Sequence, residues 1–196
     1  LSGGSQAVWF GLGGIAMQLG GGAICGIVWR KWIAWQMPRR WKSRNTEGGG
    51  KKRTDAFSTA ASFLGLAVSS ALGLNLLLGL IRLPDVSQAF QKTAAAQAAV
   101  PLWLGLLLYG LIAPFSEEIL FRGILYGRAR KTLGRNAAVF FSGILFAVYH
   151  GNVVQGIYAL SMGILLACIY EKAGSIWAAV IFHGVGNVAV FLAIDR

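Results

Sequence analysis

Two adjacent glutamates and an arginine, Glu117, Glu118 and Arg122, lie within an apolar stretch at residues 101–127. The stretch is long enough to cross a bilayer. A charged side chain at membrane depth costs about 2.5–3.5 kcal/mol even on the most lenient insertion scale. Three such residues so close together therefore need partners, shielding from lipid, or a function.

The chain has two histidines, and both lie in apolar segments: His150 ends the run Phe-Ala-Val-Tyr-His, and His183 precedes Asn187 by four residues. Residues four apart share a helix face, so Glu118 can pair with Arg122, and His183 can line a face with Asn187. Counted from the predicted cytoplasmic helix ends, Glu118, His150 and His183 all lie about 12–20 Å deep in the membrane. Three helices thus bring ionisable groups to one depth, as an intramembrane active site requires.

These residue types suit hydrolysis, which needs a base to activate water, an acid for the leaving group and donors for the oxyanion. Adjacent buried carboxylates repel each other, and Arg122 can hold one of them ionised. A histidine and Asn187 can supply oxyanion donors. Pro114 lacks an N–H and frees a carbonyl one turn back, which favours entry of water near Glu117.

Each of these residues also has a structural explanation when taken alone. A histidine within a membrane can hydrogen-bond one helix to another, and a Glu–Arg pair can be a salt bridge. The coincidence of all six residues at one depth favours a functional site.

The composition indicates a membrane protein, because 56% of the 196 residues are hydrophobic and 13% are charged. Several apolar runs are longer than the roughly 18 residues that distinguish a membrane span from a core helix. We therefore predict an all-α, polytopic transmembrane helical bundle. About six spans are predicted, at residues 7–29, 56–83, 101–127, 137–151, 153–170 and 175–194. Residues 84–100 are predicted to form a short helix at one membrane face.

The net charge of +11 comes largely from two short segments between apolar runs. Nine of the 18 basic residues fall within residues 30–55, and four more within 128–136. This is the distribution that the positive-inside rule predicts, so both segments are expected to be cytoplasmic, with both ends of the chain on the opposite side. Anionic lipid head groups are the expected partners of these basic loops, and nucleic acid is not. The favoured location is a bacterial inner membrane, with plastid and endomembranes as alternatives.

Three motifs resemble those of the CAAX protease and bacteriocin-processing family, which are intramembrane proteases that include the type II CAAX prenyl endopeptidases. The motifs are Glu117-Glu118-x-x-x-Arg122, Phe146-x-x-x-His150 and His183-x-x-x-Asn187. Their order and spacing match over about residues 100–194. We therefore divide the chain into N-terminal membrane helices with the basic loop, residues 1–99, and a catalytic helical core, residues 100–196.

The resemblance implies a role for each motif residue. Glu117 and His150 would activate water, His183 and Asn187 would stabilise the oxyanion, and Glu118 and Arg122 would support and orient the site. The substrate would be a peptide or protein, lipid-modified peptides included. We expect no cofactor, because two adjacent acids explain water activation without metal; the alternative is zinc held by Glu117, His150 and His183.

The favoured function is thus an intramembrane endopeptidase with a cavity open to the cytoplasm. A non-catalytic membrane scaffold or bacteriocin-immunity factor that keeps the protease fold is the main alternative. A transporter with a proton relay is a third, but the inverted repeats typical of that class are not evident in the sequence.

Overall fold

The fold was analysed in a computed structural model that describes residues 52–193, with side chains from residue 59 onwards. Within that range the chain forms α-helices and no strand, which confirms the predicted all-α class. We number the helices α1 (Lys52–Leu80), α2 (Gln88–Ala98), α3 (Leu102–Thr132), α4 (Arg135–Tyr149), α5 (Val153–Ala173) and α6 (Ile176–Ala193). A short 3₁₀ turn, Leu83–Val86, precedes α2.

Four of these helices are long and apolar enough to cross a membrane: α3, α5, α6 and the Thr59–Leu80 part of α1. The chain is therefore an integral, multi-pass membrane protein. Helix α4 is apolar but has only 15 residues. The predicted span at 7–29 and most of the basic segment at 30–55 lie outside the described residues, so the total of six spans stays a prediction.

Two predicted loops are shorter than expected. Helix α1 already begins at Lys52, and α3 continues to Thr132, whereas the sequence pattern placed its end at residue 127. The extension of α3 has a physical reason, because the Arg130 guanidinium donates two hydrogen bonds, of 3.0 and 3.1 Å, to Glu171 Oε1 at the end of α5. The hydroxyl of Tyr126 donates to the other oxygen of Glu171 at 2.5 Å.

Tight turns connect the last four helices and make chain neighbours antiparallel. Gly134, Gly151 and Gly174 all have positive φ, between 63° and 78°, which L-residues with a Cβ rarely adopt. Gly174 ends α5 in the left-handed conformation. At the other end of α5, the Asn152 side chain accepts a 2.9 Å hydrogen bond from the Gln155 N–H and caps the helix.

Glycines allow the helices that carry the polar residues to approach closely. A Cβ on Gly163 of α5 would lie 3.0 Å from the Cα of Gly143 of α4. A Cβ on Gly184 of α6 would lie only 2.3 Å from the Gly110 carbonyl oxygen of α3. Small residues at such crossings let backbones touch, which is how helices pack tightly in a membrane. The α3–α6 contact lies one residue from His183 and therefore sets how near His183 comes to α3.

The Gly184→Ala substitution is expected to lower the free energy of unfolding by about 1–3 kcal/mol, because the added methyl group must push α6 away from the Gly110 carbonyl. Thermal unfolding in detergent measures this. Gly73→Ala on α1 is the matched control, because a Cβ there meets no atom within 4 Å. That control should be neutral or slightly stabilising; equal losses in the two variants would contradict the packing explanation.

Candidate active site

The carboxylate of Glu118 lies at the centre of a buried polar network between α3 and α6. Its Oε1 accepts hydrogen bonds from Arg122 Nη1 and from His183 Nδ1, each of 2.9 Å. The side chains of Glu118 and Arg122 are fully buried, and that of His183 nearly so. The pairing of Glu118 with Arg122 that helical spacing predicts is thus present, and the network also includes the histidine of another helix.

The guanidinium of Arg122 extends this network to two further helices. Its Nη2 donates a 3.0 Å hydrogen bond to the backbone carbonyl of Gly163 on α5. Its central carbon lies 4.7 Å from the centroid of the Phe146 ring on α4, a cation–π distance. Arg122 therefore contacts α4 and α5 and, through Glu118, is joined to α6. Among the described residues, Glu118 Oε2 and Arg122 Nε have no hydrogen-bond partner, so each retains the capacity to bind one more polar group.

Glu117 approaches the opposite edge of the same imidazole. Its Oε2 lies 3.7 Å from His183 Nε2, which is longer than a hydrogen bond. Since Nδ1 of His183 is engaged by Glu118, the two ring nitrogens contact two different glutamates. Glu117 also keeps a small exposed fraction, 9%, whereas Glu118 has none. Both acids are thus buried, Glu118 completely and Glu117 with a small remaining exposure.

His150 lies at the C-terminal cap of α4. Its Nδ1 is 2.8 Å from the Phe146 carbonyl oxygen, four residues earlier. A carbonyl oxygen only accepts, so Nδ1 must carry the proton of this hydrogen bond. In the neutral ring Nε2 then holds the lone pair, which is the form that a general base requires.

Phe146 brings the two histidines together. Its ring centroid lies 4.7 Å from that of His150 and 5.7 Å from that of His183, and both pairs are nearly perpendicular. Phe121 of α3 packs on the same ring at 4.9 Å. In the sequence, Phe146 was noted only as the first residue of the Phe146-x-x-x-His150 motif. Its spacing of four residues from His150 already predicted that the two side chains share a helix face.

Asn187 lies one turn beyond His183 on α6 and bonds elsewhere. Its Nδ2 donates a 3.1 Å hydrogen bond to the backbone carbonyl of Tyr109 on α3. The structure therefore unites Glu117, Glu118, Arg122 and His183 directly, adds His150 through the Phe146 ring, and places Asn187 at the edge of the group. The sequence did not reveal the backbone acceptors, Gly163 and Tyr109.

Helix α3 departs from regular α-helix on both sides of the glutamates. Residues Leu108–Ile112 and Ile119–Tyr126 form π-helical turns, and Ala113–Glu118 between them is α-helical. Such π-turns occur frequently at functional sites because they re-aim the side chains that follow.

The described residues offer no preformed metal site, since no three His, Cys, Asp or Glu side chains among them are grouped as ligands. The expectation of no cofactor and the zinc alternative at Glu117, His150 and His183 both stay predictions.

Comparison with known proteins identifies the part of the chain that contains this site. Residues 99–189 match the sequence profile described as type II CAAX prenyl endopeptidase Rce1-like. Just under half of the chain is thus similar to the Rce1-like family. The match confirms the resemblance that the three motifs indicated, and the Rce1-like region includes all six predicted site residues.

One curated relative carries the printed name "Putative membrane peptidase YdiL" and comes from Bacillus subtilis (strain 168). It is 27% identical over 94 residues, a stretch that amounts to 48% of this chain. The same stretch is 38% of the relative's length, so the chain matches well under half of that protein. No solved structure matches the chain significantly. The division of the chain at residues 99 and 100 into two domains stays a prediction.

Substitution of Arg122 by lysine is expected to lower the free energy of unfolding by about 2–4 kcal/mol, because a single ammonium group cannot bond Glu118 and Gly163 and also lie over an aromatic ring as a planar guanidinium does. Chemical or thermal unfolding in detergent measures the loss. The matched control is Arg130→Lys, at a pair whose arginine is 43% exposed. The control should change stability much less, since exposed pairs contribute little; a similar loss at both sites would be evidence against a central role for Arg122.

Proposed function

We propose that the chain is an intramembrane endopeptidase in which a glutamate activates the attacking water. The observation that carries this proposal is the imidazole of His183 between two buried glutamates, bonded to Glu118 and 3.7 Å from Glu117. The family match supports a membrane peptidase, and it covers these residues. The glutamate mechanism is our inference from their geometry.

The distance between Glu117 Oε2 and His183 Nε2 suits a bound water. A water oxygen about 2.8 Å from each atom satisfies ordinary hydrogen-bond geometry at a separation of this size. Glu117 would accept a proton from that water while the water oxygen attacks the peptide carbonyl carbon. The product of this step is a tetrahedral intermediate with a negatively charged oxygen. The proton then passes to the amide nitrogen as the carbon–nitrogen bond breaks, so the products are a carboxylic acid and an amine.

The other site residues would support these steps. His150, with its lone pair on Nε2, would assist Glu117 in orienting and deprotonating water. His183, held by Glu118, would donate from Nε2 to the oxyanion when the ring is doubly protonated. Asn187 would add a donor through its second amide hydrogen, since the first hydrogen bond goes to Tyr109. Arg122 would hold the Glu118 carboxylate in place through their 2.9 Å ion pair.

The substrate class follows from the family and the membrane setting. A peptide or protein substrate is implied by the Rce1-like match. We propose that it enters from the cytoplasmic side, that prenylated C-terminal peptides are among the substrates, and that the basic segments contact anionic lipids.

A scaffold that keeps the fold without catalysis is the alternative. The closed Glu118–Arg122–His183 network is compatible with it, because buried ion pairs also occur as structural links. The presence of Glu117 favours catalysis, since a purely structural link has no need of a second buried acid beside His183.

Loss of the water-activating groups should abolish cleavage. The protein in lipid nanodiscs is incubated with an internally quenched peptide that ends in a farnesylated CAAX sequence, and with its unprenylated twin. Glu117→Gln and His150→Ala should each lower the rate by about 100-fold or more, because general-base catalysis supplies that much. Ser161→Ala, an exposed position on α5, is the control and should leave the rate unchanged. Equal rates in all variants would overturn the proposal, and an inert wild type would favour the scaffold.

Metal dependence is tested separately with the same peptides. We expect cleavage to persist after treatment with EDTA or 1,10-phenanthroline, because water activation by Glu117 needs no Lewis acid. Complete loss that added zinc restores would show that the glutamate-only mechanism is wrong and would direct attention to Glu117, His150 and His183 as ligands.

A further inference from the structure

The carbonyl of Tyr109 on α3 lacks a donor within its own helix. In regular α-helix it would accept from the N–H of Ala113, but that N–H donates to Leu108 because the turn here is π-helical. In the π register it would accept from residue 114, and Pro114 has no N–H. The π-turn and the proline thus leave one carbonyl oxygen without a backbone partner.

The side chain of Asn187 supplies the missing donor across the helix interface. Its Nδ2 lies 3.1 Å from the Tyr109 oxygen. Within a membrane an unsatisfied backbone group costs several kcal/mol, since no water is at hand to bind it. The hydrogen bond from α6 therefore compensates for a defect in α3 that the π-turn and Pro114 create together.

This hydrogen bond lies close to the catalytic groups on both helices. Asn187 is one turn after His183, and Pro114 is less than one turn before Glu117. The same crossing contains the contact between Gly184 and the Gly110 carbonyl, where no Cβ would fit. The spacing of α3 and α6 is thus fixed at two adjacent points, a hydrogen bond and a backbone contact, directly beside the Glu117–His183 pair.

We propose that Asn187 is a positioning residue that locks α6 onto the Pro114-disrupted turn of α3 and thereby sets the distance between His183 and the two glutamates. Its effect on cleavage rests on the proposed peptidase function, whereas the lock itself does not. The oxyanion role that the family resemblance implies would use the other amide hydrogen of Asn187 and would act on the substrate.

Double-mutant cycles separate these two roles, because the lock is needed only while residue 114 has no N–H. Pro114→Ala restores a backbone donor that can reach the Tyr109 carbonyl, either directly or by returning the turn to α-helix. Four proteins are compared in nanodiscs or detergent: wild type, N187A, P114A and P114A/N187A. Their thermal unfolding midpoints are measured together with kcat and KM on the farnesylated peptide.

With proline at position 114, N187A should lower the unfolding midpoint by about 4 °C, as expected when a buried carbonyl loses its donor. It should also lower kcat by about tenfold or more with little change in KM, because the reacting groups are misplaced. With alanine at position 114, the same substitution should change the unfolding midpoint little, because the Tyr109 carbonyl then has a backbone donor. A midpoint loss from N187A that is equally large in both backgrounds overturns the lock, whatever the activity of P114A.

The control is Asn75→Ala in the same two backgrounds. Asn75 also donates an amide N–H to a helix carbonyl, Ala71, but on its own helix α1. Its substitution should have the same effect with proline or alanine at position 114. If the wild type cleaves nothing while the midpoint cycle shows coupling, the proposed function fails and the lock stands. If cleavage occurs and N187A lowers the unfolding midpoint equally in both backgrounds, the lock fails and the peptidase stands.

Discussion

The buried guanidinium of Arg122 is the constraint on which the rest of this region depends. An arginine without solvent access, far along a membrane-spanning helix, must find all its compensation in the protein. Glu118 supplies the counter-charge, the Gly163 carbonyl supplies an acceptor from α5, and the Phe146 ring supplies a π face from α4. The contacts of the Arg122 guanidinium therefore fix how α3, α4 and α5 pack together, and the candidate catalytic residues surround it.

Adjacent glutamates become different residues because successive side chains of a helix point about 100° apart. Glu118 faces the cation and is closed off, whereas Glu117 reaches the outer edge of the His183 ring and keeps some exposure. The His183 imidazole thus contacts both acids: Nδ1 bonds to the Glu118 carboxylate, and Nε2 faces the carboxylate of Glu117, which keeps a small exposure. The different contacts of Glu117 and Glu118 thus follow from their angular positions on the helix alone.

Helical periodicity was sufficient to predict contacts within a single helix and the class of the fold. It predicted the Glu118–Arg122 pair, and the apolar runs predicted most of the helices that the structure describes. The sequence pattern placed the end of α3 five residues too early, because a cluster of basic residues is typical of a loop. The partner of Arg130, Glu171 on α5, is evident only from the folded structure. The Gly163 and Tyr109 carbonyls could not be predicted, since every residue carries such a group and only the packing selects among them. Asn187 shows the same limit: its type was informative, but its partner depends on a π-turn that leaves no clear trace in the sequence.

The shortness of α4 has a consequence for the surrounding lipid. Fifteen helical residues rise about 22 Å, against a hydrocarbon thickness of about 30 Å. A bilayer accommodates such hydrophobic mismatch by thinning locally or by admitting polar groups below its surface. If the mismatch falls at the end of α4, either response would expose the polar run of His150, Gly151 and Asn152. Local thinning of the bilayer around the short helix α4 would then bring water close to His150, the proposed partner of Glu117 in activating water.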